Sequence, residues 1–426
     1  MRKVFLASIL LALVASTTAL AQVSANMELR LVREGTQLKA EARLSIVGQA
    51  APTPVRDLKL RDNEIEFATT MLEAELRFVG RITNDAMTGT IEGFQAGAKV
   101  ATGTWSLLRQ KSTSPADQLT GVWVGTMSLD GTVQQPKPQE ANREFNSRVS
   151  APAYPKRHPK VLFDEAHNNT DTSSGRYQPF AELITSDGYT VIPNREKFSK
   201  PRLKDYEVLV IVNAAGSQEQ RAASAFTEEE CDAVRDWVSS GGALLLISDH
   251  LPYSAAAGEL SKRFDVVFTN GFTVDRFKYN KESEDQTELV FDRSDGLLGE
   301  HPITRGRYPS ERINRVITFS GTSVKGPTGS VAFLKLADTA LDILPPDRKQ
   351  TSPEDAPPDH QEVSAAGRAQ GVALELGKGR MVVISEAAAL TAQVASRGFR
   401  FGMNVPGIDN RQLALNIMHW LSGALK

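Results

Sequence analysis

The hydrophobic pattern changes its period partway along the chain. From Met27 to about Arg109 apolar and polar residues alternate, as they do from Leu38 to Ile46, and short turns such as Arg33-Glu34-Gly35 interrupt the alternation. A period of two places every second side chain on the same face of a β-strand. This part of the chain therefore predicts an antiparallel sheet with one buried face.

Two tryptophan segments, TGTWSL at 102–107 and LTGVWVGT at 119–126, continue that pattern. We expect the second segment to close the sheet into a barrel, because closure removes exposed sheet edges. The region resembles the small lipocalin-like or streptavidin-like modules of exported bacterial proteins. In those modules a Gly-x-Trp-x-Gly-Thr strand comes first, whereas GVWVGT comes last here. The prediction is a separate antiparallel β-barrel-like domain over residues 22–131.

Residues 132–159 are rich in proline and charge, which predicts a linker. From residue 160 onward, wholly apolar runs such as Val208–Val212 and Ala243–Ile247 alternate with helical patterns. Thr227 and Glu230 form a capping box that opens one of these helices. Apolar strands separated by helices are typical of a parallel sheet covered on both faces. Residues 160–426 therefore predict an α/β domain with a doubly wound, mostly parallel, flavodoxin-like sheet, and residues 345–367 predict a mobile loop.

The first 21 residues have the features of a secretory signal. Arg2 and Lys3 precede an apolar run from Val4 to Ala15, and Ala19-Leu20-Ala21 forms a small-residue cleavage site. This predicts an exported protein, periplasmic or extracellular. No later segment is long and apolar enough to predict a membrane span.

Charge and cysteine content narrow the function classes. The chain has 49 Lys and Arg against 51 Asp and Glu, which is too near balance to predict a nucleic-acid partner. The single cysteine, Cys231, excludes an internal disulfide and a cysteine-rich zinc site. No organic cofactor is predicted.

The candidate site lies where the predicted parallel strands end. In open α/β sheets ligands bind beyond the carboxyl ends of the strands, where the loops converge. Polar residues follow several of these strands, and a late loop can fold over the same edge. The alternative is that such an edge is simply solvated and that its polar residues cap turns. The predicted ligand-binding residues are Asp164, Glu165, His167, Asn168, Asn169, Asp249, His250, Glu386, Asn404 and Asn410.

The stretch VLFDEAHNN, residues 161–169, contains the letters of a helicase DEAH box. A helicase also needs a phosphate loop, G-x-x-x-x-G-K-[ST], and the chain has none. The serine elbow G-x-S-x-G is missing too, so serine hydrolase chemistry is not predicted. A divalent metal ion is the alternative occupant of the site, with His167, Asp249 and His250 as candidate ligands, although no H-E-x-x-H motif is present.

The order of strands around the helix from Thr227 resembles the class I glutamine amidotransferase fold. In that family a nucleophilic cysteine follows the strand that corresponds to ALLLIS, and Asp249 occupies that position here. The resemblance therefore implies no amidotransferase activity.

A closer resemblance is to exported bacterial proteins of unassigned function whose amidotransferase-like domain is non-catalytic and related to the start of an intraflagellar transport subunit. The segments that carry it are VLFDEAHNN, FTEEECDAVRDWVSSGGALLLISDHLPY, GKGRMVVISEAAALTAQ and FGMNVPGIDNRQLALNIMHWLSG. That resemblance implies no enzymatic activity, and sugar binding comes with it only by analogy.

Three hypotheses follow for function. The leading one is an exported protein whose α/β domain binds a polar ligand, such as a glycan or a cell-wall fragment, at the strand edge. The second is a metal-dependent hydrolase that uses Asp164, His167, Asp249, His250 and Glu386. The third is a scaffold that binds a protein partner through the β domain.

Overall fold

A computed structural model describes residues 20–34, 37–46, 49–71, 74–95, 97–110, 119–133, 139–216, 224–283, 285–344, 361–395 and 399–426. The chain divides into two compact units, one that ends at Pro138 and one over Gln139–Lys426. We call them the β unit and the mixed unit. The predicted signal, residues 1–21, lies outside the described residues except for Leu20 and Ala21, which begin the first strand.

The β unit is an antiparallel sheet of nine strands. They are β1 Leu20–Glu34, β2 Gln37–Ile46, β3 Gln49–Pro54, β4 Arg56–Arg61, β5 Glu64–Met71, β6 Ala74–Thr83, β7 Ala86–Gln95, β8 Ala98–Arg109 and β9 Gly121–Val133. Strand β9, which contains GVWVGT, pairs with both β1 and β8. The two edge strands, β3 and β4, are separated only by Val55. The sheet is therefore a nearly closed barrel, which confirms the predicted barrel-like module.

An aromatic cluster fills part of the barrel interior. The rings of Phe67 and Phe78 stack with centroids 4.5 Å apart, and Trp105 meets each of them edge-on at 5.8 Å. The indole of Trp105 lies against Gly80 and Gly89, which are direct cross-strand partners. A Cβ atom at either glycine would collide with the indole, so the tryptophan requires glycine at both positions.

The mixed unit contains eighteen strands and seven short helices among its described residues. The strands are β10 Glu140–Ala141, β11 Lys160–Asp164, β12 Thr190–Asn194, β13 Val208–Val212, β14 Ala243–Ile247, β15 Val267–Phe268, β16 Phe272–Asp275, β17 Tyr279–Asn280, β18 Asp285–Asp292, β19 Arg315–Ile317, β20 Val324–Lys325, β21 Val331–Lys335, β22 Ala340–Leu344, β23 Gln361–Ser364, β24 Ala369–Leu376, β25 Gly379–Ile384, β26 Ala392–Val394 and β27 Arg400–Gly402. The helices are α1 Gln178–Ser186, α2 Lys200–Leu203, α3 Glu228–Ser239, α4 Tyr253–Ala256, α5 Gly258–Lys262, α6 Pro302–Arg305 and α7 Asn410–Leu421, and a 3₁₀ turn covers Pro309–Glu311.

The predicted flavodoxin-like, class I amidotransferase-like fold with a doubly wound, mostly parallel sheet is wrong. Among the described residues, parallel pairing is confined to β12-β11-β13-β14-β25. The same sheet continues with antiparallel β24, β20, β15 and β21, and the described part of the mixed unit also contains three smaller antiparallel sheets. The tight turn at Gly377 and Lys378 joins β24 to β25, and a connection this short permits only antiparallel pairing.

Residues 139–159, predicted as part of a linker, belong to the mixed unit. Strand β10 pairs with β26, the Val149 amide donates to Ser186 Oγ, and the ring of Tyr154 is buried. Residues 345–360 of the predicted mobile loop lie outside the described residues. Its later part forms β23, which pairs with β22.

The parallel strands carry the core that positions the candidate site. Every residue of β13 and β14 is buried. The predicted capping box at the start of α3 is confirmed, since Thr227 Oγ1 accepts from the Glu230 amide and the Glu230 carboxylate accepts from the Thr227 amide. Cys231 packs in the core, where burial raises the pKa of its thiol to about 11. Among the helices of the described residues, none combines the length and the apolar character needed to cross a membrane.

Candidate functional site

The first group of predicted site residues forms a closed ion cluster. His167 Nδ1 lies 2.9 Å from both carboxylate oxygens of Asp164, and His167 Nε2 lies 2.9 Å from Glu230 Oε1. All three side chains are buried, and the imidazole packs against the rings of Phe198 and Phe226, which also stack on each other. We call Asp164, His167 and Glu230 the histidine cluster.

The electrostatics of the histidine cluster favour a charged imidazole. Burial alone would lower the pKa of His167, but the hydrogen bonds and charges of Asp164 and Glu230 outweigh it, so the pKa is raised. Burial would likewise raise the pKa of Glu230, yet hydrogen bonds from the Thr227 amide, from His167 and from the Phe198 amide lower it. The cluster thus holds a proton between two carboxylates.

The neighbouring predicted residues complete this network. Asn169 Nδ2 donates to Asp164 Oδ2 and to the Val212 carbonyl, and Asn169 Oδ1 accepts from the His167 amide. Glu165 accepts from the amide and hydroxyl of Ser173, and Asn168 donates to the Gly216 carbonyl. These contacts fix the loop after β11 and leave Asp164 and His167 facing protein.

The two asparagines of the late loop lie in other contacts. Asn404 accepts from Asn142 Nδ2 and donates to the Gln393 carbonyl. Asn410 exchanges two hydrogen bonds with the backbone of Ile317 and donates to the Ala389 carbonyl. Asp409, which directly precedes α7, makes no side-chain cap and instead accepts from the Asn314 and Arg315 amides. Asp409 and Asn410, at the start of α7, are therefore hydrogen-bonded to β19 and to the residue before it.

The second group lies around three carboxylates at the carboxyl ends of the parallel strands. Asp249 follows β14, Glu386 follows β25, and Asp171 lies in the loop after β11. Asn213, which follows β13 with a φ of 43°, joins two of them: its Nδ2 donates to Asp171 Oδ2 at 2.8 Å and its Oδ1 accepts from the Asp249 amide at 3.0 Å. We call Asp171, Asp249 and Glu386 the acidic cluster.

The acidic cluster is short of positive charge. Burial raises the pKa of Glu386 well above its usual range, and the nearby Asp249 raises it further, against the hydrogen bonds that the carboxylate accepts from the Ala388 and Ala389 amides. Burial also raises the pKa of Asp249, against the charge of His250, whose Nε2 lies 3.8 Å from Asp249 Oδ1, and against the hydrogen bond from the His250 amide. Arg176 Nε pairs with Asp171 Oδ1 at 2.9 Å, so that guanidinium is already committed to one carboxylate.

A partly exposed rim surrounds the cluster. The side chains of Asp249, His250 and Arg176 are 16%, 18% and 30% exposed, and Tyr253 is half-buried beside them. Tyr253 shares a hydrogen bond with the side chain of Thr170. The His250 ring packs against Phe272 at a tilt of 33°, with centroids 4.0 Å apart, and its Nδ1 lies 2.8 Å from the Leu251 carbonyl. Because a carbonyl only accepts, Nδ1 carries a hydrogen.

The structure thus brings together Asp249, His250 and Glu386 of the predicted residues. The sequence interpretation missed Asp171, Arg176, Tyr177 and Tyr253. Tyr177 is buried below the rim and donates to the Ala387 carbonyl. Their only sequence signal was that they lie in the loops after two predicted strands, in the segments TDTSSGRY and HLPY.

The predicted metal ligands do not converge. Over the described ranges no three His, Cys, Asp or Glu side chains are arranged to hold a metal ion. Both ring nitrogens of His167 contact carboxylates of the histidine cluster, whereas Asp249 and His250 belong to the acidic cluster. These positions do not fit a shared metal centre of His167, Asp249 and His250.

Comparisons with known proteins add little. No family model matches the chain, and no curated protein matches it. The N-terminal domain of mmIFT52, a solved structure, matches 62% of this chain and 96% of that chain, at 12% identity and a TM-score of 0.42. This similarity is too low to support an argument about fold or function.

Proposed function

We propose that the mixed unit binds a hydroxyl-rich polar molecule, such as a sugar or a glycan fragment, at the rim of the acidic cluster. The observation that carries the proposal is the convergence of partly exposed Arg176, Asp249, His250 and Tyr253 above buried carboxylates. Convergent polar groups with shifted pKa values are the usual signature of a binding site.

The side-chain chemistry of the rim suits such a ligand. Asp249 accepts hydrogen bonds, Arg176 donates them, and the hydroxyl of Tyr253 does either, which matches a molecule with several hydroxyl groups. The rings of Tyr253 and of the His250–Phe272 stack offer flat apolar surface beside these groups. The predicted export from the cell would give access to extracellular glycans, and this location stays a prediction carried by residues 1–21.

Ligand-induced stabilisation tests this proposal. The full chain is heated with a panel of mono- and disaccharides, and the melting temperature is followed by near-UV circular dichroism. A ligand at 100 times its Kd stabilises the native state by about 2.7 kcal/mol, which raises the melting temperature by several degrees.

Asp249→Ala should remove the shift, whereas Asp205→Ala, which changes an exposed carboxylate in the same unit, should keep it. If no sugar shifts the wild-type protein, or if both variants respond equally to one that does, the proposed site is wrong.

A further inference from the structure

We infer that the histidine cluster is a pH-sensitive switch, which joins the loop after β11 to the start of α3 only while the imidazole of His167 carries two hydrogens. Loss of one proton breaks the contact between His167 and Glu230 and opens the segments packed around it. The switch needs no ligand, because it depends only on the geometry of Asp164, His167 and Glu230.

The contacts of the imidazole require a charged ring. A neutral imidazole has one N–H donor and one nitrogen that only accepts. His167 Nδ1 lies 2.9 Å from both carboxylate oxygens of Asp164, and His167 Nε2 lies 2.9 Å from Glu230 Oε1. Because an ionised carboxylate only accepts, each of these contacts needs a hydrogen on the ring. Both hydrogens are present only in the imidazolium form.

The carboxylate of Glu230 does not supply the second hydrogen. Its Oε1 also accepts from the Phe198 amide at 2.9 Å, and its Oε2 accepts from the Thr227 amide at 3.0 Å. Hydrogen bonds to both oxygens favour the ionised carboxylate. Burial opposes this, yet the Thr227 amide, His167 and the Phe198 amide together lower the pKa of Glu230. The proton that the cluster shares therefore belongs to the ring.

Deprotonation breaks one contact of the ring and keeps the other. Nδ1 of His167 is within hydrogen-bond distance of two Asp164 oxygens, whereas Nε2 faces one oxygen of Glu230. The single hydrogen of the neutral ring is therefore best placed on Nδ1. Nε2 then presents a lone pair to the Glu230 carboxylate, and two buried acceptors in contact are unfavourable. The ring and the Glu230 carboxylate separate.

Three chain segments meet at the contact that breaks. Glu230, at the start of α3, accepts from the Phe198 amide, which fixes the segment before α2. The His167 carbonyl accepts from the amides of Ala215 and Gly216, which fixes the segment after β13. The ring of Phe198 also packs against the imidazole. Separation of His167 from Glu230 should therefore give solvent access to the backbone hydrogen bonds of these segments.

The direction of the switch follows from the charges that face His167. Burial lowers the pKa of His167, but Asp164 on β11 and Glu230 on α3 raise it above the unfolded value of about 6.5. Cys231, next to Glu230, has a thiol pKa of about 11 and is neutral over most of the alkaline range. The charged residues 195–197 beside Phe198 are exposed. The switch is therefore closed in acid and opens as the pH rises through the folded pKa of His167.

Amide hydrogen exchange of the full chain between about pH 6 and about pH 9.5 tests this inference, since that range begins below the ordinary pKa of histidine and extends well above it. Protection factors correct for the intrinsic effect of pH on exchange, and the ¹⁵N shifts of the His167 ring report its proton loss. We expect residues 195–199 and 213–216 to lose about tenfold or more in protection as the ring loses its proton. Strand β14 should keep most of its protection, because its hydrogen bonds open only on wider unfolding.

Glu230→Gln is the matched variant. Its side-chain amide can donate to a neutral Nε2 and its oxygen can accept from a protonated one, so the pH response of the two segments should disappear. His158→Gln, which changes an exposed histidine, should respond as the wild type does.

Two wild-type results would overturn the switch. One is constant protection of residues 195–199 and 213–216 while the ring loses its proton. The other is a ring that keeps both hydrogens up to about pH 9.5, which would make the cluster a fixed ion pair. A pH response that persists in Glu230→Gln would also contradict it. Both wild-type measurements remain decisive even if Glu230→Gln does not fold.

Discussion

The histidine cluster and the acidic cluster lie at the same edge of the same sheet, yet their charge balance differs. In the histidine cluster two buried carboxylates share one imidazole, and each ring nitrogen has a carboxylate at 2.9 Å. In the acidic cluster three carboxylates lie near the guanidinium of Arg176, which pairs closely with Asp171, and near the imidazole of His250, whose Nε2 is 3.8 Å from Asp249 Oδ1. Each carboxylate of the first cluster contacts the imidazole directly, whereas Glu386 of the second has no ion pair among the described residues.

This difference separates a structural role from a binding role. A buried ion pair with all its hydrogen bonds made contributes to a unique native structure, and breaking it is costly. A cluster whose carboxylates have raised pKa values holds unfavourable charge that folding alone does not relieve. Proteins keep such groups where a ligand or a reaction uses them. Substitutions should therefore lower the free energy of unfolding in the histidine cluster, whereas removing the charge of Asp249 should not.

The largest effect is expected for His167→Gln. The change leaves Asp164 and Glu230 buried without the imidazolium between them, and breaking a buried ion pair typically costs about 3–5 kcal/mol. Urea unfolding followed by circular dichroism measures the loss. The control is His158→Gln, because His158 is exposed and a surface substitution usually changes stability by less than about 0.5 kcal/mol. A similarly small loss for His167→Gln would show that the histidine cluster is not structural.

The second prediction concerns the pH dependence of the same cluster. The folded pKa of His167 is raised, so its stabilisation is present below the unfolded pKa of about 6.5 and is lost as the pH rises through the folded value. The folded pKa of Glu230 is lowered, so its stabilisation is present above the unfolded value and is lost as the pH falls through the folded value.

Glu230→Gln should therefore cost about 1–3 kcal/mol near pH 6 and progressively less as the solution becomes acidic. Thermal unfolding of both proteins between about pH 3 and pH 8 measures this difference. A difference that stays constant over the acidic range would contradict the assigned protonation states.

The third prediction concerns Asn213, which holds the acidic cluster in place. Its two side-chain hydrogen bonds join Asp171 to the Asp249 amide, and its positive φ disfavours most other residues. We expect Asn213→Ala to cost about 1–2 kcal/mol more than Asn213→Gly, because glycine tolerates the left-handed conformation. Urea unfolding of the two variants gives the comparison. Equal losses would mean that backbone conformation is unimportant there.

The sequence predicted parts of this picture for physical reasons. The wholly apolar runs of β13 and β14 can form only buried strands, so the polar residues that follow them, Asp249 above all, were placed correctly at the strand edge. The capping box of Thr227 and Glu230 was readable from residue type and spacing. Glu230 also contacts His167, which lies 63 residues earlier in the chain, and no local sequence pattern indicates a contact over that separation.

The errors have equally specific causes. Asp164 followed by His167 resembles Asp249 followed by His250 in sequence. The tertiary contacts of the first histidine distinguish them: its hydrogen bonds to Asp164 and Glu230 and its packing against Phe198 and Phe226. Asp171 and Arg176 lie seven or more residues beyond β11, where loop conformation rather than strand register decides position. Between β15 and β24 most strands are short, and many of them pair antiparallel with segments distant in the chain. The hydrophobic pattern therefore shows no regular period that would identify them.

The free energy of unfolding of Asp249→Asn at about pH 8 tests the central claim most directly. The substitution keeps the shape and Oδ1, which accepts from the His250 amide, and it removes a charge that raises the pKa of Glu386. The account predicts stability equal to that of the wild type within about 0.5 kcal/mol, or higher, because a repulsion is lost. A loss of about 2 kcal/mol or more would place Asp249 in a structural network like the histidine cluster and would contradict the assignment of a binding site.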